Sequence, residues 1–241
     1  FDKVIWDVKE EVNDKLASLI LRYNSMDMEE GYPGNLDVKV TYTLTNDDEL
    51  RVRYEAETDK KTVVNLTQHS YFNLSAGLSR DILSHEITID SDSYLPVDQT
   101  LIPTGELRDV GGTPFDFRES KSIGDDINNE DKQLTFGNGY DHCWVLNKQD
   151  EGIRLVATAY DPVSGRLLEV SSDQPGIQFY SGNFLDGTLE SKDGAKYEFR
   201  SGFCLETQHY PDSPNQESFP TVILNPGEKY DTKTIFKFST R

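Results

Sequence analysis

The chain has 241 residues, with 24 basic against 43 acidic side chains and a net charge of −19. Such a surface repels phosphate backbones and anionic headgroups, which argues against nucleic-acid or membrane-surface partners. Apolar residues make up 35% of the chain and aromatic residues 11%, which is enough for a sizeable core. No stretch has the length and hydropathy of a membrane span and no signal-peptide pattern opens the sequence, so we expect a cytoplasmic protein.

Period-two alternation between turn signals predicts strands along most of the chain. The first apolar run, 15–23, also fits a helix, whereas 36–43 with 50–57 and 153–160 with 166–172 have the pattern of hairpins. Further strands are predicted at 63–69, 85–90, 143–146, 176–182, 202–208, 221–224 and 229–238. We expect a packed loop at 93–105, irregular backbone at 110–118, and a short helix or surface loop at 120–134.

No sustained helical period, internal repeat or low-complexity linker interrupts this pattern. The sequence therefore predicts one large antiparallel all-β domain over residues 1–241. Cys143 and Cys204 have no paired spacing, and two buried free thiols are favoured over a disulfide. The sequence does not indicate an oligomeric state.

The chain lacks the histidine, cysteine and acidic spacings of common metal sites, the glycine-rich fingerprints of nucleotide sites and the serine nucleophile elbow. The candidates for chemistry are therefore isolated polar residues in apolar segments. His69 is either a proton donor near neutral pH or a core histidine bonded to backbone.

Three further residues have two interpretations each. Glu206 lies in the strand F-C-L-E-T-Q, where burial would raise its pKa and improve it as a base, unless it faces solvent. Asp141 follows the turn Asn138-Gly139-Tyr140 and is either a site residue or an ordinary turn aspartate. Gln178 lies between Ile177 and Phe179, where core hydrogen bonding and ligand contact are both open.

Several long motifs resemble the aldose 1-epimerase (galactose mutarotase) family, in the family's order. They are N-L-T-Q-H-S-Y-F-N-L at 65–74, Y-L-P-V-D at 94–98, Asp141-His142, Q-P-G-I-Q-F-Y-S-G-N-F-L-D-G at 174–187 and G-F-C-L-E-T-Q-H-Y-P-D-S-P-N-Q at 202–216. The resemblance implies a large antiparallel β-supersandwich fold.

It also implies interconversion of the α and β anomers of free aldohexoses such as galactose and glucose, without a metal or cofactor. Glu206 resembles the general base that removes the C1 hydroxyl proton, and His69 the general acid that protonates the ring oxygen. These two groups are expected on opposite sides of one small cleft. Asp141 and Gln178 resemble substrate-binding residues.

Aromatic side chains at Tyr180, Phe184 and Trp144 are candidates for walls of this site, although aromatic residues in β proteins more often lie in the core.

The family also carries a second active-site histidine, on an early segment that would precede Phe1. We therefore expect that the chain lacks N-terminal strands of the family fold. Two alternatives stay open: a non-catalytic sugar-binding or regulatory relative, and an enzyme for phosphorylated hexoses. The second is disfavoured because the motifs hold no cluster of basic residues.

Overall fold

The computed structural model describes residues 1–75 and 80–241. Nine of its strands form one sheet, in the spatial order β1-β2-β3-β4-β16-β12-β11-β6-β9. Their bounds are β1 (Asp7–Val12), β2 (Leu16–Ser25), β3 (Leu36–Thr45), β4 (Glu49–Thr58), β6 (Glu86–Ile89), β9 (Lys121–Ser122), β11 (Arg154–Tyr160), β12 (Arg166–Ser172) and β16 (Tyr230–Thr240).

A second sheet has five strands in the order β14-β13-β10-β7-β8, and a third has only two, β15 and β5. Their bounds are β5 (Thr62–Val63), β7 (Ser91–Leu95), β8 (Arg108–Asp109), β10 (Asp141–Leu146), β13 (Gly176–Tyr180), β14 (Cys204–Gln208) and β15 (Ile223–Leu224). The helices are α1 (Ile123–Asp126) and α2 (Lys132–Gly137), with 3-10 turns at Glu29–Gly31, Gln149–Glu151 and Ser213–Asn215.

The main hydrophobic core contains side chains from both large sheets. Val38 and Val52 come from the nine-stranded sheet, and Trp144, Ile177 and Phe179 come from the five-stranded sheet. Along each strand these apolar side chains alternate with side chains that point to the opposite face of the sheet. One face of each sheet is therefore apolar and packs inward. Pairing within both sheets is antiparallel, and the predicted all-β sandwich is confirmed.

Both predicted hairpins are present. β3 and β4 pair in register from Leu36↔Thr58 to Leu44↔Leu50. β11 and β12 are joined by the predicted turn, where Gly165 has a φ of 74° and its N–H donates to the Asp161 carbonyl oxygen. The run at 15–23 is a strand, β2, and not a helix.

Three predictions differ from the structure. The expected strand at 63–69 continues only to Val63. The Val64 N–H still donates to the Val222 carbonyl oxygen, but the Leu66 N–H donates to the Tyr230 hydroxyl instead of a neighbouring strand. The expected loop at 93–105 begins inside β7, which pairs with β10. β1 was not predicted, since its sequence D-V-K-E-E-V is exposed throughout and has no apolar face.

Cys143 and Cys204 are free and buried, as predicted. No helix in the described ranges is long and apolar enough to cross a membrane.

Candidate active site

One face of the five-stranded sheet carries most of the polar candidates. Asp141 lies opposite Tyr180, which lies opposite Cys204, across β10, β13 and β14. Gln178 lies opposite Glu206 in the same ladder. Because paired residues in a sheet point to the same side and residues two apart do too, all five side chains share this face. We call it the polar face.

The opposite face of the same strands is part of the core. Trp144 is fully buried there and its indole N–H donates to the Phe115 carbonyl oxygen at 2.9 Å. Of the two interpretations of Trp144, a wall of the site or a core residue, the structure shows the core residue, which is the more common one in β proteins. It lies three residues from Asp141, and an odd spacing in a strand reverses the side to which a side chain points.

His142 lies in the core as well, in edge-to-face contact with Phe115. Burial lowers the pKa of His142 to about 3, so the ring is neutral there. Its Nδ1 accepts a hydrogen bond from the backbone N–H of Asp141, at 3.1 Å. His142 therefore helps to fix the start of β10 and is unsuited to proton transfer near neutral pH.

The segment that carries His69 runs beside β14, the edge strand of the five-stranded sheet. At its start, the Asn65 side chain and the backbone of His209 exchange two hydrogen bonds of 2.9 Å. At its end, the backbones of Phe72 and Phe203 exchange two more, at 2.7 and 2.9 Å. These two clamps hold the imidazole against β14 although the segment is not a strand.

The imidazole of His69 contacts two side chains of the polar face. Its Nε2 lies 3.1 Å from Oε1 of Glu206, and its Nδ1 lies 3.2 Å from Sγ of Cys204. The side chain of His69 is 56% exposed, whereas that of Glu206 is only 10% exposed. The two groups are in direct contact and not separated by a cleft, because a buried carboxyl needs a hydrogen-bond partner.

Aromatic rings surround this contact. Tyr71 stacks on the His69 ring, with centroids 5.1 Å apart and an interplanar angle of 23°. Tyr180 meets the same ring edge-on at 6.2 Å, and Phe184 stacks on Tyr180. Tyr180 and Phe184 are thus beside the site, whereas Tyr71 was not singled out from the sequence. Its position two residues after His69 was the available signal.

Glu206 has a strongly perturbed acidity. Burial, and then the negative charge of Asp141, raise the pKa of Glu206 to about 8. Burial also raises the pKa of Asp141, and this rise is opposed by the hydrogen bond that Gln178 Nε2 donates to Asp141 Oδ1 at 2.8 Å. Perturbed carboxylates that lie together are typical of catalytic sites.

The turn before β10 fixes the position of Asp141. Asn138 has a φ of 53°, and a Cβ on Gly139 would collide with Asn183. The buried Asn183 amide donates to the carbonyl oxygens of Gly137 and Tyr140 at 2.9 and 2.8 Å, and its oxygen accepts from Ser181 Oγ at 2.7 Å. This network holds the chain in a left-handed bend immediately before Asp141.

Among the described residues, one group has the composition of a metal site. His69, Cys204 and Glu206 each offer a ligand atom, and these atoms lie within 4.8 Å of one another. However, the imidazole presents Nδ1 to the thiol and Nε2 to the carboxyl, on different edges of the ring. In this arrangement the three groups form a hydrogen-bonded chain, in which each ring nitrogen already contacts one of the other two residues.

Comparison with known proteins places the chain in a family. The model of the aldose 1-epimerase family matches residues 1–237. The chain is 52% identical over 239 residues to the galactose mutarotase of Homo sapiens, covering 99% of this chain and 67% of that protein. It is 38% identical to the aldose 1-epimerase of Escherichia coli (strain K12), covering 99% of this chain and 68% of that protein.

Solved structures of related proteins share the fold of this chain. The crystal structure of galactose 1-epimerase from Lactobacillus acidophilus NCFM superposes with a TM-score of 0.85 at 30% identity, over 99% of this chain and 68% of that one. An aldose epimerase homologue from C. elegans gives a TM-score of 0.82 at 26% identity, over 98% and 68% of the two chains. From the sequence match over nearly its whole length and from this shared fold, the chain belongs to the aldose 1-epimerase family.

Proposed function

We propose that this chain interconverts the α and β anomers of free aldohexoses, galactose and glucose among them, with Glu206 as general base and His69 as general acid. The single observation that carries the proposal is the 3.1 Å contact between His69 Nε2 and Glu206 Oε1, made by a carboxyl whose pKa is raised to about 8. Ring opening requires a base for the C1 hydroxyl proton and an acid for the ring oxygen, placed close together.

The reaction begins with a Glu206 carboxylate and a proton on His69 Nε2. The carboxylate removes the proton of the C1 hydroxyl, the C1–O1 bond becomes a carbonyl, and the C1–O5 bond breaks with its electron pair going to O5. His69 Nε2 gives its proton to O5. Rotation about C1–C2 exposes the other face of the aldehyde, and the two transfers then run backwards to close the ring.

The direct contact between acid and base suits this chemistry. O1 and O5 are both bonded to C1, so the two groups that serve them have to lie side by side. A sugar bound at the site replaces the single contact between Nε2 and Oε1 with one hydrogen bond to each residue. Each turnover returns one proton to His69 and the other from Glu206 to O1 of the sugar, so no net proton exchange with water is needed.

Asp141 and Gln178 are proposed to bind sugar hydroxyls. Gln178 Oε1 is buried and has no hydrogen-bond partner among the described residues. An unpaired buried acceptor costs about 1–3 kcal/mol, and a sugar hydroxyl that donates to it would recover that cost. Asp141 Oδ1 already accepts from Gln178 Nε2, so the oxygen is the amide atom of Gln178 that is left to bind a ligand. We further propose that residues 1–241 act as one mutarotase-like unit, since the main core joins both large sheets.

The test is polarimetry of freshly dissolved α-galactose with wild-type protein and Glu206→Gln. We expect the variant to keep its fold by circular dichroism and to lose roughly 10²-fold or more in rate, the low end of a general base contribution. Glu57→Gln, a change at an exposed glutamate on β4, is the matched control and should keep the wild-type rate.

Three outcomes would contradict the proposal. A wild-type rate in Glu206→Gln would remove Glu206 from the chemistry. Galactose binding by calorimetry without faster anomer exchange would make the chain a sugar-binding relative. A preference for hexose 6-phosphate over the free sugar would change the substrate class.

A further inference from the structure

Cys204 occupies a position that the proposed reaction does not use. Its Sγ lies 3.2 Å from His69 Nδ1, on the edge of the ring away from Glu206. Cys204 and Glu206 are two residues apart on β14, so their side chains point to the same side. Their sulfur and carboxyl oxygen lie within 4.8 Å of each other, and the imidazole contacts both, with one nitrogen on each residue.

We propose that Cys204 is a positioning residue, whose sulfur accepts the Nδ1–H of His69 and so reserves Nε2 for the proton exchanged with the sugar. This inference rests on the proposed role of His69 as general acid. The nitrogen of a histidine that carries the proton is set by the hydrogen bond of the other nitrogen.

Two arguments place the ring proton on Nδ1. After Nε2 has given its proton to O5, the ring has one proton left, and it has to be on Nδ1. In the sugar-free protein, Glu206 has a pKa of about 8 and is protonated near neutrality, so its O–H donates to Nε2. In both states Nδ1–H faces the sulfur of Cys204, which is a weak but adequate acceptor.

A neutral thiol beside Nδ1 makes His69 a better general acid than a carboxylate at that position would. Burial and the neighbouring Glu206 and Asp141 raise the pKa of Cys204, so the thiol keeps its proton. A carboxylate at Nδ1 would stabilise the imidazolium and hold the Nε2 proton more tightly. A neutral sulfur orients the ring without adding a charge, so the proton at Nε2 is easier to transfer.

Ring orientation also needs this contact. Tyr71 stacks on the imidazole and restrains its plane, but stacking does not distinguish one ring edge from the other. The His69 side chain is about half exposed, so few other atoms oppose rotation of the ring. The contact of Nε2 with Glu206 fixes the ring edge only until a sugar replaces it, whereas a hydrogen bond at Nδ1 holds the ring throughout.

The experiment compares wild-type protein with Cys204→Ala, Cys204→Ser and the control Cys143→Ala. Cys143 is the other free buried thiol. It lies opposite Gln178 in the ladder of β10 and β13, but its Sγ donates to the Trp144 carbonyl oxygen and not to His69, so it tests whether loss of a buried thiol alone has an effect. Nitrogen-15 NMR of the histidine side chains reports which ring nitrogen is protonated, and His69→Gln assigns the His69 signals. Polarimetry gives kcat and KM for each protein.

We expect the neutral His69 ring to be the Nδ1–H tautomer in wild type, Cys204→Ser and Cys143→Ala, and to lose that preference in Cys204→Ala. The value of kcat should fall roughly tenfold in Cys204→Ala, less than the full contribution of a general acid, with little change in KM. Cys204→Ser, whose hydroxyl also accepts a hydrogen bond, should recover most of the loss.

Finding the Nε2–H tautomer of His69 in the wild type overturns the proposal. It is also overturned if Cys204→Ala keeps both the tautomer and the kcat of the wild type. If Cys204→Ala does not fold, Cys204→Ser decides, and loss of the Nδ1–H tautomer there overturns it. The NMR result does not depend on turnover. Failure of the proposed function therefore shows separately, as a wild-type chain that does not accelerate mutarotation.

Discussion

Asp141 and Glu206 share the polar face on either side of β13, and the charge of Asp141 raises the pKa of Glu206 beyond the effect of burial alone. Gln178 lies between them, opposite Glu206 and bonded to Asp141. The acidity of the base is therefore set partly by a residue proposed to bind the sugar. Four predictions follow from this and related contacts, each with its own measurement.

The rate of mutarotation should fall as the pH rises above about 8. The pair of Glu206 and His69 has to hold one proton for the reaction, as carboxylate and protonated imidazole. Because the pKa of Glu206 is about 8, the last proton of the pair leaves near that pH and O5 then has no donor. The apparent pKa in the rate profile is a property of the coupled pair and not of Glu206 alone. Polarimetry of kcat/KM from pH 6 to 10, corrected for the spontaneous reaction, tests this, and a flat profile contradicts it.

Asp141→Asn should shift that descending limb to lower pH. The substitution removes the negative charge that raises the pKa of Glu206, while the amide can still contact Gln178. The KM for galactose should rise as well, since Asp141 is proposed to bind sugar hydroxyls. Asp37→Asn, at an exposed position on β3, is the control. An unchanged limb would mean that the two carboxyls are not coupled.

Glu206→Gln should be more stable than the wild type at pH 8, and the difference should shrink toward pH 4. The pKa of Glu206 is raised from 4.5 to about 8 on folding, so between these values the folded protein binds more protons than the unfolded chain. Stability therefore falls as pH rises through this window. Glutamine does not titrate, so the variant does not lose stability in this way. Thermal melts of both proteins at pH 5 and pH 8 measure it, and a difference independent of pH would refute the assignment.

Asn183→Ala should destabilise the protein and impair the site together. It leaves the Gly137 carbonyl oxygen without the Asn183 donor, and an unpaired buried acceptor costs about 1–3 kcal/mol. The Tyr140 carbonyl oxygen loses the same donor but still accepts from the Ser181 N–H. The bend that positions Asp141 should then relax, so KM should rise. Urea unfolding and polarimetry give the two effects. Asp186→Ala, a change at an exposed position, is the control, and equal effects of the two substitutions would argue against the network.

Much of the sheet structure could be predicted because alternation is local. The hairpin of β3 and β4 has an apolar face at Val38, Val40 and Val52 that marks both strands. β1 has no such face, and pairing with β2 alone defines it as a strand. The segment 64–71 alternates like a strand, but it is held by tertiary hydrogen bonds. The Asn65 side chain donates to the His209 carbonyl oxygen and the Leu66 N–H donates to the Tyr230 hydroxyl, and a local sequence pattern does not contain such contacts.

The site was predictable to a similar degree. Side chains alternate between the two faces of a strand. Counting from Asp141 places Trp144, three residues later, on the core face, and counting from Glu206 places Cys204, two residues earlier, on the polar face. The register of β10, β13 and β14 sets which residues lie opposite one another, and no motif specifies it. The direct contact of His69 with Glu206 depends on that register and on two clamps far apart in sequence, so it required the structure.

The proposed acid and base are held by different kinds of contact. Glu206 belongs to a strand that is paired along its whole length with β13, whereas His69 lies in a segment without strand pairing, between the clamps at Asn65 and Phe72. Opening the contact between the two side chains therefore needs no break in the pairing of β13 with β14.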